Sequence, residues 1–215
     1  MAYKQHLTLI QEGIDAWNAW RKANADAMPD LSGADFSGMD LSRAMLRRTN
    51  FSGTNLTEVN LHGVDLTHCN FFGAVLMNAD LTDAVLRDAE LSQAELIGAR
   101  LHGACFENAT MNGVNLREQY LRGANFRNAN LLGADLSDAD LSGADLSGAT
   151  LAEAKLELTN FYRANLSNAN LNGAIVKLAM FKEAILDGAN LNKVNLKEAD
   201  LSLGEKLKLM LTGKP

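Results

Sequence analysis

The chain has 215 residues, of which 47% are hydrophobic and only 6% aromatic, and its 20 basic and 26 acidic residues give a net charge of −6. This acidic balance argues against a non-specific nucleic-acid-binding protein, and two cysteines exclude a disulfide-rich scaffold and favour a reducing, cytoplasmic compartment. No apolar run approaches the ~20 residues that span a bilayer, and Glu12 interrupts the N-terminal stretch, so we expect neither membrane association nor a signal peptide.

The first element in chain order is a predicted helix over residues 4–27. Leu7, Ile10, Ile14 and Trp17 recur at helical spacing, and Pro29 follows the pattern. Both tryptophans of the chain lie in this segment. We interpret the helix as a hydrophobic cap on the region that follows, and a docking helix for a partner is the alternative.

Beyond residue 30 the chain repeats every five residues. From Leu31 to Leu201, all 35 fifth positions (the centres) hold Leu, Phe, Met or Val, and Leu fills 26 of them. The position two residues before a centre (the slot) is Ala in 24 of 34 cases, with Met39 and Gln119 as misfits. A five-residue period fits neither a helix nor a flat strand, so the chain must turn a corner every five residues and bury both positions. Gln119 is too large for its slot and predicts a local distortion beside Tyr120.

The centre phenylalanines indicate how many residues make one coil. Three pairs lie 20 residues apart, against one pair, Phe36/Phe51, at 15: they are Phe51/Phe71, Phe106/Phe126 and Phe161/Phe181. Ring stacking between successive coils favours a four-sided coil of 20 residues.

The run ADLSGADLSGA at residues 139–149 resembles the repeat of the pentapeptide repeat family, and the resemblance covers residues 31–201. The stretch WNAWR at residues 17–21 is similar to the N-terminal lead-in of many bacterial members. The resemblance implies an all-β solenoid, a right-handed quadrilateral β-helix of about 8.5 coils. It divides the chain into an N-terminal helical cap (1–30), the pentapeptide-repeat β-helix (31–202) and a short C-terminal helical tail (203–215).

The tail predicts either a second cap or a dimer contact. Leu207, Met210 and Leu211 share one helical face. A group of apolar residues near the tail is predicted to point outward, and such exposed clusters usually mark an interface. This C-terminal apolar group comprises Leu158, Ile175, Leu178, Met180 and Ile185. A homodimer through this end is therefore one expectation, and capping alone is the other.

Residues for catalysis or metal binding do not converge. His62 and His102 fall in one outward column but two coils apart, and His68 lies on a different side. Cys69 occupies an inward slot and Cys105 is predicted outward on another wall, so we expect no disulfide between them. Phosphate-loop, serine-elbow and zinc-protease motifs are absent from the sequence. We expect no enzyme, no cofactor and no metal site.

Any function of the rod must lie in outward positions that break the repeat. One predicted face combines residues favoured in protein interfaces: His62, Arg100, His102, Tyr120 and Arg122. A candidate apolar patch on adjoining sides comprises Phe72, Val75, Met77 and Ile97. Residues 128–154 contain no Lys or Arg and carry an acidic band of Asp135, Asp138, Asp140, Asp145 and Glu153.

Two functional hypotheses follow. The favoured one is a non-catalytic scaffold that mediates interaction with a protein partner, with no direct nucleic-acid binding. The alternative is a DNA mimic that modulates DNA gyrase or topoisomerase IV, as quinolone-resistance members of the family do. Against the mimic, residues 31–201 hold 14 basic and 21 acidic residues, a net charge of only −7. Arginines also interrupt a duplex-like negative surface at Arg43, Arg47, Arg48, Arg87 and Arg127.

Overall fold

The computed structural model describes residues 3–200, which begin with two helices, α1 (Lys4–Gln11) and α2 (Ile14–Ala23). The single helix predicted over residues 4–27 is therefore wrong. Gly13 separates α1 from α2 with a φ of 125°, a conformation open mainly to glycine. A 3₁₀ turn, Leu196–Glu198, lies near the other end. The tail predicted over residues 203–215, with Leu207, Met210 and Leu211, lies outside the described residues.

From residue 30 onward the chain forms five-residue sides joined by tight turns. In the first side the N–H of Ala34 donates to the carbonyl of Leu31 at 3.3 Å, and Gly33 between them has a φ of 66°. This is the geometry of a type II turn, whose third residue must adopt a positive φ. The next side repeats the pattern, and Asp35 Oδ1 accepts a hydrogen bond from the N–H of Ser37 at 3.0 Å. The recurring Gly, Asp and Asn therefore shape the corners.

Adjacent coils pair through parallel backbone bridges that link residues 20 apart. The bridges run from Asp30–Asn50 to Met180–Asp200, and each is a single-residue contact rather than part of an extended strand. The three phenylalanine pairs stack face to face between coils, with ring centroids 4.9 to 5.1 Å apart. Both observations support a coil of four pentapeptides. The count of about 8.5 coils stays a prediction, because its last residues lie beyond residue 200.

The core is a column of centre and slot side chains along the rod axis. Leu121 is 0% exposed and Cys69, in its slot, 1%, which confirms both inward assignments. Burial raises the pKa of the Cys69 thiol to about 12, so the sulfur is protonated and donates to the carbonyl of Leu46 at 3.0 Å. Cys69 and Cys105 are both free thiols, the latter half-buried. Helices of the described range are all too short and too polar to cross a membrane.

Helix α2 covers the first coil where no earlier coil can pair with it. The indole N–H of Trp17 donates to the carbonyl of Met45 at 3.0 Å. Asn18 accepts from the N–H of Met45 at 2.8 Å and donates to the carbonyl of Arg43, also at 2.8 Å. Side chains of α2 thus replace the ladder partners that residues 43–45 lack, which supports the capping interpretation.

Helix α1 is fixed to the start of the rod by His6. Its Nδ1 accepts a hydrogen bond from the N–H of Asp30 at 3.0 Å, and its ring lies 4.9 Å from that of Trp20. Burial lowers the pKa of His6, which keeps the imidazole neutral and able to accept. His6 is therefore part of the cap.

Candidate interaction site

The ladder opens on one side of the rod, between the coil containing Arg100 and the coil containing Tyr120. Bridges join Asp80 to Arg100 and Tyr120 to Asp140, but none joins Arg100 to Tyr120. Within the described residues, five N–H groups of this junction have no acceptor, those of Gln93, Gly98, Leu101, Gly103 and Tyr120, while the bridge between Glu95 and Asn115 is retained. One coil further on, the N–H groups of Leu116, Glu118, Leu121 and Gly123 are bonded at 2.7 to 3.0 Å. The opening therefore does not extend to the next junction.

Gln119 accounts for the opening, as the misfit in its slot predicted. Its side chain is buried between the coils, and its amide nitrogen donates to the carbonyl of Leu96 at 3.1 Å. Thr54 and Thr159 occupy slots and make the equivalent bond, to Leu31 at 3.1 Å and to Leu136 at 2.8 Å, without any break in the ladder. The length of the glutamine side chain, rather than its polarity, therefore separates the coils.

The opening forms a cavity of about 480 Å³, which we call the Tyr120 notch. Its lining brings together four of the predicted residues, Ile97, Arg100, His102 and Tyr120. It adds three polar residues that the sequence did not indicate as site residues, namely Thr82, Arg117 and Glu118. Arg117 and Glu118 are corner residues, where charge is ordinary, and the 20-residue register places them beside Ile97 and Gly98 of the preceding coil.

Tyr120 is the most exposed large hydrophobic residue among those described. It is 77% exposed, and its hydroxyl has no partner in the described structure. Tyr162, on the next-but-one coil, is by contrast half-buried, with its hydroxyl 3.3 Å from Glu183 and the guanidinium of Arg163 over its ring. Tyrosine and arginine are both enriched among the residues that dominate binding energy in protein interfaces.

The arginines of the notch are held by carboxylates but remain largely exposed. Arg100 Nη2 lies 2.8 Å from Asp80 Oδ2. Arg117 Nη2 lies 2.8 Å from Asp138 Oδ2, and Arg117 Nε lies 3.2 Å from Glu118 Oε1. Burial opposes ionisation of Asp80, but hydrogen bonds from Thr82 and the charge of Arg100 outweigh it, so the pKa of Asp80 is lowered. The site therefore offers oriented cationic donors, an aromatic face and unpaired backbone groups.

Other predicted surface residues lie outside the notch lining. His62 is exposed one coil before Asp80, and Arg122 donates to Ser142 at 3.0 Å just beyond Tyr120. Phe72 is exposed, whereas Val75 and Met77 are half-buried, so the apolar patch is smaller than its four residues suggest. Among the described residues, no group of three or more His, Cys, Asp or Glu side chains is placed to hold a metal ion.

The acidic band is mostly engaged in local structure. Asp135, Asp140 and Asp145 each accept the N–H two residues on, at 3.0 to 3.1 Å. Asp135 pairs with Lys155 at 3.3 Å, Asp138 with Arg117 and Asp140 with Arg122 at 3.5 Å. Glu153 occupies an exposed corner with a φ of 59°. Three of the five carboxylates are thus beside a positive charge.

The C-terminal apolar group is exposed on three successive sides of the rod. Its exposed fractions are 48% for Leu158 and Ile175, 55% for Leu178, 39% for Met180 and 46% for Ile185. Leu158 and Leu178 stack at one corner, with φ values of 59° and 58°. Leucine disfavours this left-handed conformation, which glycine or asparagine would adopt more readily.

Comparison with known proteins assigns the fold. The profile of pentapeptide repeats matches the chain in eight copies, over residues 34–73, 74–113, 111–148, 139–177 and 177–202. The chain therefore belongs to the pentapeptide repeat family, and its rod is a right-handed β-helix. No enzyme family is indicated.

Solved structures of the same family resemble the chain to different degrees. One of them is HetL, a pentapeptide repeat protein involved in heterocyst differentiation regulation in the cyanobacterium Nostoc sp. strain PCC 7120. HetL is 31% identical in sequence to this chain, and the match covers 84% of this chain and 94% of HetL with a TM-score of 0.57. QnrB1, a plasmid-mediated fluoroquinolone resistance protein, is 18% identical over 88% of this chain and 91% of its own, with a TM-score of 0.41. No curated protein matches the chain significantly.

Proposed function

We propose that the protein is a non-catalytic scaffold that binds a protein partner through the Tyr120 notch. The observation that carries the proposal is the interrupted ladder between Arg100 and Tyr120, which leaves backbone donors unpaired beside an exposed tyrosine. Elsewhere along the middle of the rod these donors are used between coils. A partner segment that enters the notch would satisfy them and would pack on Tyr120 and Ile97.

The relation to HetL supports a regulatory rather than a metabolic role. HetL is described as involved in the regulation of heterocyst differentiation, and the match covers 84% of the present chain. A scaffold that contacts other proteins without carrying out chemistry suits a regulatory role. A scaffold with a binding site at an irregular junction is consistent with that relation.

The test is affinity capture from the native cell with matched tyrosine variants. Tyr120→Ala removes the exposed anchor, and Gln119→Thr keeps the bond to Leu96 but should close the notch. Tyr162→Ala is the control, because Tyr162 is outward on the same side but already engaged with Glu183. We expect one partner to be lost with the first two variants and retained with the control. A partner that binds Gln119→Thr as well as the parent would contradict the proposal.

The DNA-mimic alternative has less support. A mimic needs an uninterrupted negative surface, whereas Lys155, Arg117 and Arg122 lie against three carboxylates of the acidic band. A supercoiling assay with purified gyrase separates the two functions. We expect no effect at micromolar concentrations of the protein, and inhibition or protection of the enzyme in that range would restore the mimic.

The C-terminal apolar group favours self-association as a second property of the scaffold. Leu158 and Leu178 lie at corners whose positive φ disfavours leucine, and their side chains are exposed. Leucine at these positions is consistent with a function of the exposed side chains in an interface. Light scattering of the full chain tests this directly. We expect a dimer that Leu178→Asn converts to a monomer, with no loss of folding, because asparagine suits the corner. A monomeric mass for the parent protein in light scattering would contradict self-association.

A further inference from the structure

A second cavity, of about 590 Å³, lies between the C-terminal end of α2 and the first coil, and we call it the cap cavity. It coincides with a second gap in the ladder, because no bridge joins Met45 to Asp65 and the N–H of Leu46 does not reach the carbonyl of Asp65 in the following coil. Its charged lining residues are Arg21, Lys22, Asp26, Arg47, Arg48 and Asp65. The cavity is therefore separate from the Tyr120 notch and does not depend on the function proposed for it.

Arg21 is a buried charge in the wall of this cavity. It is 4% exposed, and its guanidinium donates to the carbonyls of Met45 at 3.2 Å, Ala27 at 3.0 Å and Arg47 at 2.9 Å. No carboxylate of the described chain pairs with it. Carbonyl oxygens satisfy the N–H groups but leave the charge without a counter-ion, which is a costly arrangement for a buried ion.

The remaining charges of the cavity do not balance Arg21. Arg47 lies 3.5 Å from Asp65, and Arg48 lies 4.0 Å from Asp26, whose side chain is fully exposed. Lys22 forms no ion pair within the described residues. Four cationic and two anionic side chains line the cavity, a net charge of +2.

Backbone N–H groups at the same place also lack acceptors. In the preceding side Asp40 Oδ1 accepts from the N–H of Ser42 at 3.0 Å. Met45 occupies the corresponding position in the next side and cannot accept, so the N–H of Arg47 has no partner among the described residues. The N–H of buried Leu46 has none either, and both residues line the cavity. Two unpaired donors thus meet an excess of positive charge.

We propose that the cap cavity binds a phosphate group. A phosphate monoester carries a charge of about −1.5 to −2 at pH 7, which matches the net charge of the lining, and its oxygens accept several hydrogen bonds at once. The N–H groups of Leu46 and Arg47 and the side chains of Lys22 and Arg48 are the donors. The volume exceeds that of a phosphate ion, so an attached organic group also fits.

The test is a titration followed by the backbone amide resonances of the full chain, with inorganic phosphate and glycerol 3-phosphate as probes. Ionic strength is held constant with sodium chloride. We expect saturable shifts of the Leu46 and Arg47 amides and none at Leu101, whose free N–H faces the Tyr120 notch instead. Tighter binding of phosphate identifies the free ion as the ligand, and tighter binding of glycerol 3-phosphate identifies an organic phosphate. Absence of saturable shifts with both probes would overturn the proposal.

Substitutions at the cavity rim separate specific binding from general salt effects. The double variant Lys22→Gln/Arg48→Gln leaves Arg21 and the cap contacts in place, and we expect its dissociation constant to rise roughly tenfold or more. Arg43→Gln is the matched control, since Arg43 is exposed on the same coil but outside the lining. Its affinity should stay within about twofold of the parent, because charge that is not in contact is largely screened. Equal affinity in the parent and the double variant would contradict the assigned donors.

Discussion

Gln119 and Thr159 occupy the same inward slot on the same side of the rod, two coils apart, and both donate to the carbonyl 23 residues earlier. Around Thr159 the ladder is complete: Leu141 donates to Asn160 and Asn160 to Ala139, both at 2.9 Å. Around Gln119 the corresponding groups of Leu101 and Tyr120 are unpaired. A solenoid of this kind thus tolerates a polar group in its wall but not a longer side chain. One residue can open a cavity between coils without interrupting the repeat.

The largest expected effect tests whether the core beneath the notch is as well packed as the core beneath the closed junction. Leu121 and Leu141 are both 0% exposed at equivalent positions. We expect Leu121→Asp and Leu141→Asp each to lower the free energy of unfolding by roughly 4 kcal/mol, because each places an unpaired carboxyl in the core. Urea denaturation measures both. A much smaller loss for Leu121→Asp would mean that the notch reaches into the core.

The substitution with the next largest expected effect should create the same opening at the closed junction around Thr159. Thr159→Gln should separate the coils at Asn160 as Gln119 does at Tyr120, at a cost of about 1–3 kcal/mol from overpacking. Unfolding in urea gives the cost, and faster exchange of the Leu141 and Gly143 amides reports the opening. Lys177→Gln, an exposed position on the adjoining side, is the control and should change neither. Unchanged exchange in Thr159→Gln would show that glutamine alone does not open a junction.

Lowering the pH provides a further comparison of the two regions, with a smaller expected effect on stability. The pKa of Asp80, beside the notch, and that of Asp135, beside the closed ladder, are both lowered: burial opposes ionisation of each, but turn hydrogen bonds and a neighbouring cation outweigh it. The stability that they contribute is therefore complete above about pH 4 and is lost as the pH falls through the folded-state pKa.

Asn variants isolate this contribution, because Asn60 accepts the same turn bond, from the N–H of His62, without titrating. We expect Asp80→Asn and Asp135→Asn each to reduce the fall in Tm between pH 6 and pH 3 by roughly 2 °C. Thermal unfolding followed by circular dichroism measures it. Unequal changes in Tm at the two positions would indicate that the notch disturbs the coil before it. No change in Tm at either position would contradict the stabilising role assigned to the two carboxylates.

The period of five and the chemistry of each repeat position were sufficient to predict the coil, the buried centres and the distorted junction. They pointed to Gln119 because a slot admits only a small side chain, and an oversized residue at that position can be recognised in a single sequence. Arg117 and Glu118 were not predicted, because charge is ordinary at a corner, although the 20-residue register places them beside Ile97 and Gly98 of the preceding coil. Gly13 was overlooked because the apolar spacing runs through it unchanged. The cap cavity could not be predicted either, since it depends on how α2 meets the first coil.

Hydrogen exchange of the Leu101 and Gly103 amides in the parent protein and in Gln119→Thr tests the central claim, that side-chain length at position 119 opens the notch. The Leu121 and Gly123 amides, bonded at 2.8 and 3.0 Å, serve as the internal reference. We predict that Leu101 and Gly103 exchange much faster than the reference in the parent and are equally protected in Gln119→Thr. Equal protection of all four amides in the parent, or fast exchange that persists in the variant, would contradict the account.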